Sequence, residues 1–143
     1  AIASYSKALE IKPEDDSVWY QQACLLMCLN RFEEAVISYN QVLQLKPDMY
    51  EAWYNQGMAF LKLEQFEEAI VSYNKAIQIK SDHHEAWYNK ALLLLRLGQH
   101  QEALISFDKA LYIMRDNYEG WYKRGLTLFA LERKEEAILS CNK

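Results

Sequence analysis

Glycine and proline are scarce in this sequence, with four glycines and two prolines in 143 residues. The segments between them are filled with the best helix formers, namely Ala, Leu, Glu, Gln and Lys. The alternation of apolar and polar residues that marks a β-strand is absent. Composition therefore predicts an all-α fold before any motif is considered.

Long apolar runs and blocks of one charge are missing as well. The apolar run at residues 91–95 is interrupted by Arg96, far short of the roughly 20 residues that a membrane-spanning helix needs. The formal net charge is -4, and no basic block is available to neutralise a phosphate backbone. We therefore expect neither a membrane segment nor a nucleic-acid partner.

Cysteine is limited to Cys24, Cys28 and Cys141, an odd number without the spacing of a disulfide framework. The first residues, AIASYSKALEIKP, lack the basic and apolar regions of a secretory signal. Both features favour a reducing compartment, and we expect a cytoplasmic protein. No Gly-rich phosphate loop, Ser/His/Asp constellation or metal-ligand spacing is found, so we expect no enzyme, cofactor or metal.

The tryptophans recur at a constant interval, because the four of them stand at positions 19, 53, 87 and 121, each 34 after the last. A fixed period of this length is the signature of a repeat architecture. The same interval relates several other sets of residues. They are Tyr20, Tyr54, Tyr88 and Tyr122; Ala35, Ala69, Ala103 and Ala137; and Tyr5, Tyr39, Tyr73 and Phe107.

Each period contains two amphipathic helices, A and B, since apolar residues recur at helical spacing in both of its halves. We predict A helices at 16–29, 50–63, 84–97 and 118–131, and B helices at 33–45, 67–79 and 101–113. The chain then divides into a partial repeat at 1–15 (a helix B), repeats at 16–49, 50–83 and 84–117, and an incomplete repeat at 118–143. In this last repeat we expect a partial helix B to follow helix A.

Small residues and helix caps follow the same period. Gly57 and Ala69 are expected to face each other where helices A and B approach within about 8–10 Å. Aspartates precede glutamates by three residues before three of the A helices, which is the spacing of a capping box. These pairs are Asp48 and Glu51, Asp82 and Glu85, and Asp116 and Glu119.

With Trp, Tyr, Ala and an aromatic residue at these intervals, the chain resembles the tetratricopeptide repeat family over its whole length. It departs from the family pattern where polar residues replace an expected Leu, at Gln22, Gln56, Lys90 and Arg124. The resemblance implies a right-handed superhelical solenoid of antiparallel helix pairs, in which the A helices line a concave groove. The function it implies is a scaffold that binds a partner peptide or helix in that groove.

The resemblance also places specific residues in the groove. The tyrosine row combines a large apolar body with a hydroxyl, and the amides beside it can bond a peptide backbone. Met58 and Leu92 occupy a position that is often Asn in the family, which favours a partner with apolar anchors. The predicted groove residues are Tyr20, Gln21, Tyr54, Asn55, Met58, Tyr88, Asn89, Leu92, Tyr122 and Lys123.

One family variant clamps a C-terminal carboxylate with lysines, arginine and asparagines from three successive repeats. In one register the matching residues here are Tyr20, Cys24, Asn55, Glu85 and Asn89, and in the next they are Tyr54, Met58, Asn89, Glu119 and Lys123. Most of the cations are missing and a Glu stands where a Lys is needed. The sequence therefore disfavours a carboxylate clamp.

Two other functions stay open at this point. The chain is also compatible with a structural array that associates end to end with copies of itself, because unpaired repeat faces are adhesive. Alternatively, it is a regulatory or substrate-presenting segment of a larger multidomain enzyme. Partner binding remains the leading prediction.

Overall fold

The computed structural model describes residues 2–141, and it describes their side chains except those of Glu136, Ala137 and Cys141. Within this range the backbone forms eight α-helices and no strand, so the all-α prediction is confirmed. None of these helices has the length and hydrophobicity needed to cross a membrane. The helices are α1 (Ile2–Ile11), α2 (Asp16–Cys28), α3 (Phe32–Leu45), α4 (Tyr50–Lys62), α5 (Phe66–Ile79), α6 (His84–Arg96), α7 (His100–Ile113) and α8 (Tyr118–Cys141).

The helices are grouped into two compact units, residues 1–81 and residues 82–143. In the first unit α2 packs on α3, α4 packs on α5, and α3 packs on α4. Its core contains large side chains such as Tyr39 and Tyr73, with small residues such as Ala35 and Ala69 between them. In the second unit α7 packs against both α6 and α8, and its buried residues include Phe107 and Leu94 as well as Ala91 and Ala103.

Gly57 marks the closest approach between α4 and α5. A Cβ atom at this position would lie 2.8 Å from Cε1 and 2.9 Å from Cδ1 of Tyr73. The predicted need for a small residue is therefore correct, but the neighbour that imposes it is the Tyr73 ring. Ala69, which we expected to face Gly57, is fully buried and is not among the atoms nearest to that Cβ.

The turn inside each helix pair has the same backbone conformation. Asn30, Glu64 and Gly98 adopt φ values of 60°, 59° and 78°, and they are spaced by the repeat period. The next residue donates its backbone N–H to the carbonyl five positions earlier, as in the bond from Gln99 to Leu94 of 2.9 Å. This is a Schellman motif, which closes the C-terminus of helix A and starts helix B.

The predicted capping boxes are wrong by one residue. The N-caps of α2, α4 and α6 are Asp15, Met49 and His83, whereas Asp48 lies in the preceding turn. His83 accepts a hydrogen bond at Nδ1 from the backbone N–H of Ala86 (3.1 Å). The helices begin at the predicted residues, one position later than a capping box led by the aspartate requires, so each glutamate lies at the second helical position. There the carboxylate still interacts favourably with the helix dipole, but it does not close a box. The same shift applies to Asp82 and Glu85 and to Asp116 and Glu119.

The last helix does not break where the repeat predicts. We expected helix A to end at residue 131 and a helix B to follow, but α8 runs without interruption to Cys141. A left-handed turn residue costs roughly 1–2 kcal/mol, which in the other repeats is offset by the buried face of a complete helix B. In α8 both Ile138 and Leu139 are exposed, so no such burial offsets the turn.

The polar residues that replace an expected Leu have a structural role in three repeats. Each one bonds a polar residue that lies 16 positions earlier, on the preceding B helix of the same unit. Gln22 and Gln56 are buried, and buried polar groups need such partners to offset the loss of water, whereas the pair of Arg124 lies at the surface. The bonds are Gln22 Nε2 to Ser6 Oγ (3.4 Å), Gln56 Nε2 to Asn40 Oδ1 (2.6 Å) and Arg124 Nε to Asp108 Oδ1 (2.5 Å).

Candidate functional site

The predicted groove residues lie on the A helices of both units, and most of them are half-buried. In the first unit α2 carries Tyr20 and Gln21, and α4 carries Tyr54, Asn55 and Met58. In the second unit α6 carries Tyr88, Asn89 and Leu92, and α8 carries Tyr122 and Lys123. Only Gln21 and Tyr122 among the ten are exposed. In each unit we call the predicted groove residues the A-helix face of that unit.

The tyrosines of this face also support the fold, because three of them pack on the aromatic residue of their own helix B. The ring centroids are separated by 6.0 Å for Tyr20 and Tyr39, 5.9 Å for Tyr54 and Tyr73, and 6.0 Å for Tyr88 and Phe107. The first and third pairs meet edge to face, a favoured aromatic geometry. A contact with ligand is therefore restricted to the outer edge of each ring.

Tyr20 and Asn55 are joined across neighbouring A helices of the first unit. Asn55 donates a hydrogen bond from Nδ2 to the Tyr20 hydroxyl at 2.9 Å. Burial, together with Cys24 and Glu51, raises the pKa of Tyr20 to about 12. The phenol is therefore neutral at physiological pH, and it fixes the orientation of the Asn55 amide.

The position of Met58 has a partner that the sequence analysis did not identify. The Tyr73 hydroxyl donates to Met58 Sδ at 3.1 Å, and in the preceding repeat Cys24 Sγ lies 3.5 Å from the Tyr39 hydroxyl. Burial raises the pKa of both tyrosines, which keeps their hydroxyls protonated.

The third repeat has Leu92 and Phe107 at these two positions. Helix A thus carries a sulfur-containing residue where helix B has a buried tyrosine hydroxyl. Where helix B has a phenylalanine, which lacks a hydroxyl, helix A carries the hydrocarbon side chain of leucine. That correspondence is visible in the sequence as residues 15 apart, and it was the signal we missed. It means that Met58 is partly committed to the core.

A pocket of about 450 Å³ lies on the A-helix face of the second unit. It brings two predicted residues, Tyr88 and Asn89, together with the turn that precedes α8. The prediction missed the turn because its distance from α6 depends on helix packing. The pocket is lined by His84, Glu85, Tyr88, Asn89, Met114, Asp116, Asn117, Tyr118 and Glu119. Leu92, Tyr122 and Lys123 are not part of its wall.

Carboxylates dominate the electrostatics of this pocket. Glu85, Asp116 and Glu119 are exposed at its rim, whereas the hydroxyl oxygen of Tyr88 is buried and has no hydrogen-bond partner within the described residues. Burial raises the pKa of Tyr88, and the nearby charge of Glu119 adds to this effect. The pocket therefore favours groups that donate hydrogen bonds and disfavours anions.

Sequence models described as tetratricopeptide repeat match residues 17–49, 50–83, 84–117 and 118–143. The chain belongs to the tetratricopeptide repeat (TPR) family. The family's period of 34 residues equals the spacing of the tryptophans in this TPR chain. No curated protein matches it.

Solved structures similar to this TPR chain share its arrangement of helices. A crystal structure of MamA has a TM-score of 0.89 at 22% identity, and the match covers 96% of this chain and 75% of MamA. YrrB, described as a TPR protein with an unusual peptide-binding site, has a TM-score of 0.81 at 26% identity, with coverages of 96% and 71%.

A third solved structure is the first TPR of Spaghetti (RPAP3) bound to an HSP90 peptide. Its TM-score is 0.77 at 18% identity, and the match covers 82% of this chain and 93% of that one. At the identities of MamA and RPAP3 the likeness establishes the fold alone.

Proposed function

We propose that this TPR chain is a protein-interaction module that holds a segment of a partner protein on its A-helix face. The observation that carries the proposal is the pocket of about 450 Å³ in the second unit, which contains the predicted residues Tyr88 and Asn89. Its volume lies within the range of about 300–1,000 Å³ that is typical of ligand sites. The pocket offers contact area through the outer edge of the Tyr88 ring, and it offers hydrogen bonds through the Asn89 amide and the carboxylates of its rim.

Two structural neighbours support peptide binding as the general activity. The RPAP3 domain was solved with an HSP90 peptide, and YrrB is described as having a peptide-binding site. Parallel helices present rows of side chains at a spacing that suits an extended peptide or a helix. We propose this general activity for the present chain, and we propose no particular partner.

The carboxylate rim separates this site from a clamp for a C-terminal carboxylate. Glu85 and Glu119 occupy the positions where a clamp needs a cation, and Asp116 adds a third negative charge. A terminal carboxylate placed among them would be repelled. We therefore propose an internal segment of the partner as the ligand, rather than its C-terminus.

Apolar anchors of the partner remain part of the proposal. Met114 is exposed and forms one wall of the pocket, while Leu92 and Met58 are half-buried at corresponding positions of α6 and α4. Methionine adapts to ligand shape and makes favourable contacts with apolar groups. A reducing compartment such as the cytoplasm is also part of the proposal, because Cys24 and Cys28 are free thiols.

The proposal is tested by selecting peptides from a random displayed library on the wild-type protein and measuring their affinity by calorimetry. The double variant Tyr88→Ala/Asn89→Ala should bind the selected peptides about 30-fold more weakly, because a central anchor contributes about 2 kcal/mol. Tyr112→Ala is the matched control, since Tyr112 is an exposed tyrosine on α7 outside the pocket.

Circular dichroism of both variants should show unchanged helicity. Equal affinities of the double variant and the control for every selected peptide would refute binding on the A-helix face.

Self-association is the second candidate, and α8 is the feature that favours it. Trp121, Leu126 and Phe129 are large apolar side chains that are exposed on this helix. A second copy would cover them and thereby remove apolar surface from water. Light scattering should then detect an oligomer that grows with concentration and is abolished by Phe129→Glu but not by Ile11→Glu, since Ile11 is an exposed apolar residue on α1. A monomer at every concentration would contradict this candidate.

A further inference from the structure

The first unit has an apolar slot on the side of α4 opposite the A-helix face. Trp53, Gln56 and Phe60 are spaced by three and four residues, so they share one side of the helix. At 100° per residue, this side points about 150° away from the side that carries Tyr54 and Met58. The slot is therefore separate from the site proposed above.

The slot has a volume of about 330 Å³ and lies between α4 and α5. We define it by its lining residues, which are Trp53, Gln56, Phe60, Glu67, Glu68, Val71 and Ser72. Its volume is at the lower end of the range that is typical of ligand pockets.

The floor of the slot is held in place before any ligand arrives. The Trp53 indole donates from Nε1 to the Pro47 carbonyl at 2.9 Å. Gln56 is 2% exposed, donates from Nε2 to Asn40 at 2.6 Å, and accepts from Ser72 Oγ at 3.5 Å. A preorganised site binds more tightly, because less side-chain entropy is lost on association.

Val71 forms an exposed apolar edge of the slot, with 55% of its surface accessible. A β-branched residue on the solvent side of a helix contributes no burial and lowers helix propensity. The equivalent positions in two other repeats, Ile37 and Ile105, are each 59% exposed. Single exposed apolar residues are ordinary, but an exposed β-branched residue recurs at this position in three successive repeats, whereas Ala3 and Leu139 occupy it at the two ends.

Two carboxylates complete the rim. Glu67 and Glu68 lie in the first turn of α5 and are exposed. Neither has an ion-pair partner within residues 2–141. A ligand that carries positive charge beside its apolar group would therefore be complementary to this slot.

The corresponding position in the second unit differs in chemistry. Lys90 replaces Gln56, and its ammonium lies 5.3 Å from the centroid of the Trp87 ring. Burial lowers the pKa of Lys90, although Glu102 opposes this shift. Gln101 stands where the first unit has Glu67, so the second unit gains a cation at this position and its rim loses one negative charge.

We propose that the slot of the first unit docks a partner segment that inserts one aliphatic side chain and places lysine or arginine on either side of it. The aliphatic group packs between Trp53, Phe60 and Val71, and the cations pair with Glu67 and Glu68. This is a second binding surface, used independently of the A-helix face.

The test titrates the intact chain with the blocked tripeptide acetyl-Lys-Leu-Lys-amide and follows the indole N–H signals of the four tryptophans by NMR. The Trp53 signal should move in a saturable manner. Acetyl-Lys-Ala-Lys-amide should bind at least about tenfold more weakly, because the methyl and methylene groups that fill the slot are removed. Acetyl-Glu-Leu-Glu-amide should also lose about tenfold, through repulsion at the rim.

Substitutions at the rim of the slot test whether the peptide binds there. Val71→Lys should abolish the shift of the Trp53 signal, and Glu67→Lys/Glu68→Lys should abolish the preference for the lysine peptide. All three positions are exposed, so these proteins should fold. Ile105→Lys is the matched control in the second unit and should leave the titration unchanged.

Equal binding of the three peptides, or an unaltered titration with Val71→Lys, would overturn the proposal. The variant Tyr88→Ala/Asn89→Ala keeps the two proposals distinguishable, because it should leave the Trp53 titration intact even if the A-helix face binds nothing.

Discussion

Replacing Gly57 by alanine tests how closely α4 and α5 approach. The added Cβ would lie 2.8 Å from the Tyr73 ring, which is closer than carbon atoms approach without displacement. Tyr73 is fully buried, its hydroxyl is bonded to Met58, and its ring packs on Tyr54, so it has little room to move. Overpacking of this kind typically costs about 1–3 kcal/mol.

An opposing term must be subtracted, because alanine is a better helix former than glycine by about 0.8–1 kcal/mol. Gly57→Ala should therefore destabilise the protein by about 0–2 kcal/mol. Gly125→Ala isolates the favourable term, since Gly125 is inside α8 and its Cβ would meet no atom within 4 Å. That variant should stabilise the protein by about 0.8–1 kcal/mol.

The assay is urea unfolding followed by far-ultraviolet circular dichroism, with the midpoint and slope compared among the three proteins. The difference between the two variants should equal the overpacking cost of about 1–3 kcal/mol. If Gly57→Ala proves as stabilising as Gly125→Ala, the placement of Tyr73 over Gly57 is wrong.

Three further predictions concern the turns and the buried tyrosines. Gly98→Ala should cost about 1 kcal/mol in a melting experiment, because φ is +78° and the new Cβ meets nothing, so only backbone strain acts. Burial raises the pKa of Tyr20 to about 12 from the usual 10, so the stability that its neutral phenol contributes is complete below pH 10. That stability should be lost as pH rises toward 12. Tyr20→Phe should make the unfolding free energy decline less steeply with pH in this range, and an unchanged decline would contradict the prediction. Met58→Leu should cost about 0.5–1.5 kcal/mol more in the wild type than in a Tyr73→Phe background, measured as a double-mutant cycle.

The fold could be predicted because equivalent residues of successive repeats occupy similar environments. The predicted start of α2 and the predicted end of α7 agree with the structure at residues 16 and 113. A tryptophan every 34 residues requires the same wide space each time, and the alanines between require the same close approach. This periodicity can be recognised in the sequence without knowledge of any tertiary contact.

Errors arose where the outcome depends on an energy balance rather than on a pattern. The pair Asp48 and Glu51 has the spacing of a capping box, yet the chain places Met49 at the N-cap. The turn predicted after residue 131 forms only if a following helix packs against helix A. The spacing of residues in the sequence does not indicate whether that packing occurs.

The candidate site was predictable only in part, for a geometric reason. The family resemblance assigned Tyr88 and Asn89 to the groove side of helix A, and both residues line the pocket on α6. Asp116 and Asn117 approach from the turn before α8, and their distance from α6 depends on how α7 packs. The bond between Met58 and Tyr73 likewise joins two antiparallel helices, whose relative rotation is fixed only by tertiary packing.

The hydrogen bonds between residues 16 apart have a consequence for how the chain finds its own neighbours. Repeats of similar sequence are prone to pair in the wrong order, since an apolar interface accepts any similar partner. Here the junctions carry different polar pairs: glutamine with serine, glutamine with asparagine, and Arg124 with Asp108. If α8 packed on α1 or α3, Arg124 would meet Ser6 or Asn40 in place of its carboxylate and would lose this surface ion pair, which is a change of about 0–1 kcal/mol. The polar residues that depart from the family pattern thus give each of these junctions a different pair of hydrogen-bond partners, which favours the native order of the repeats by a small amount.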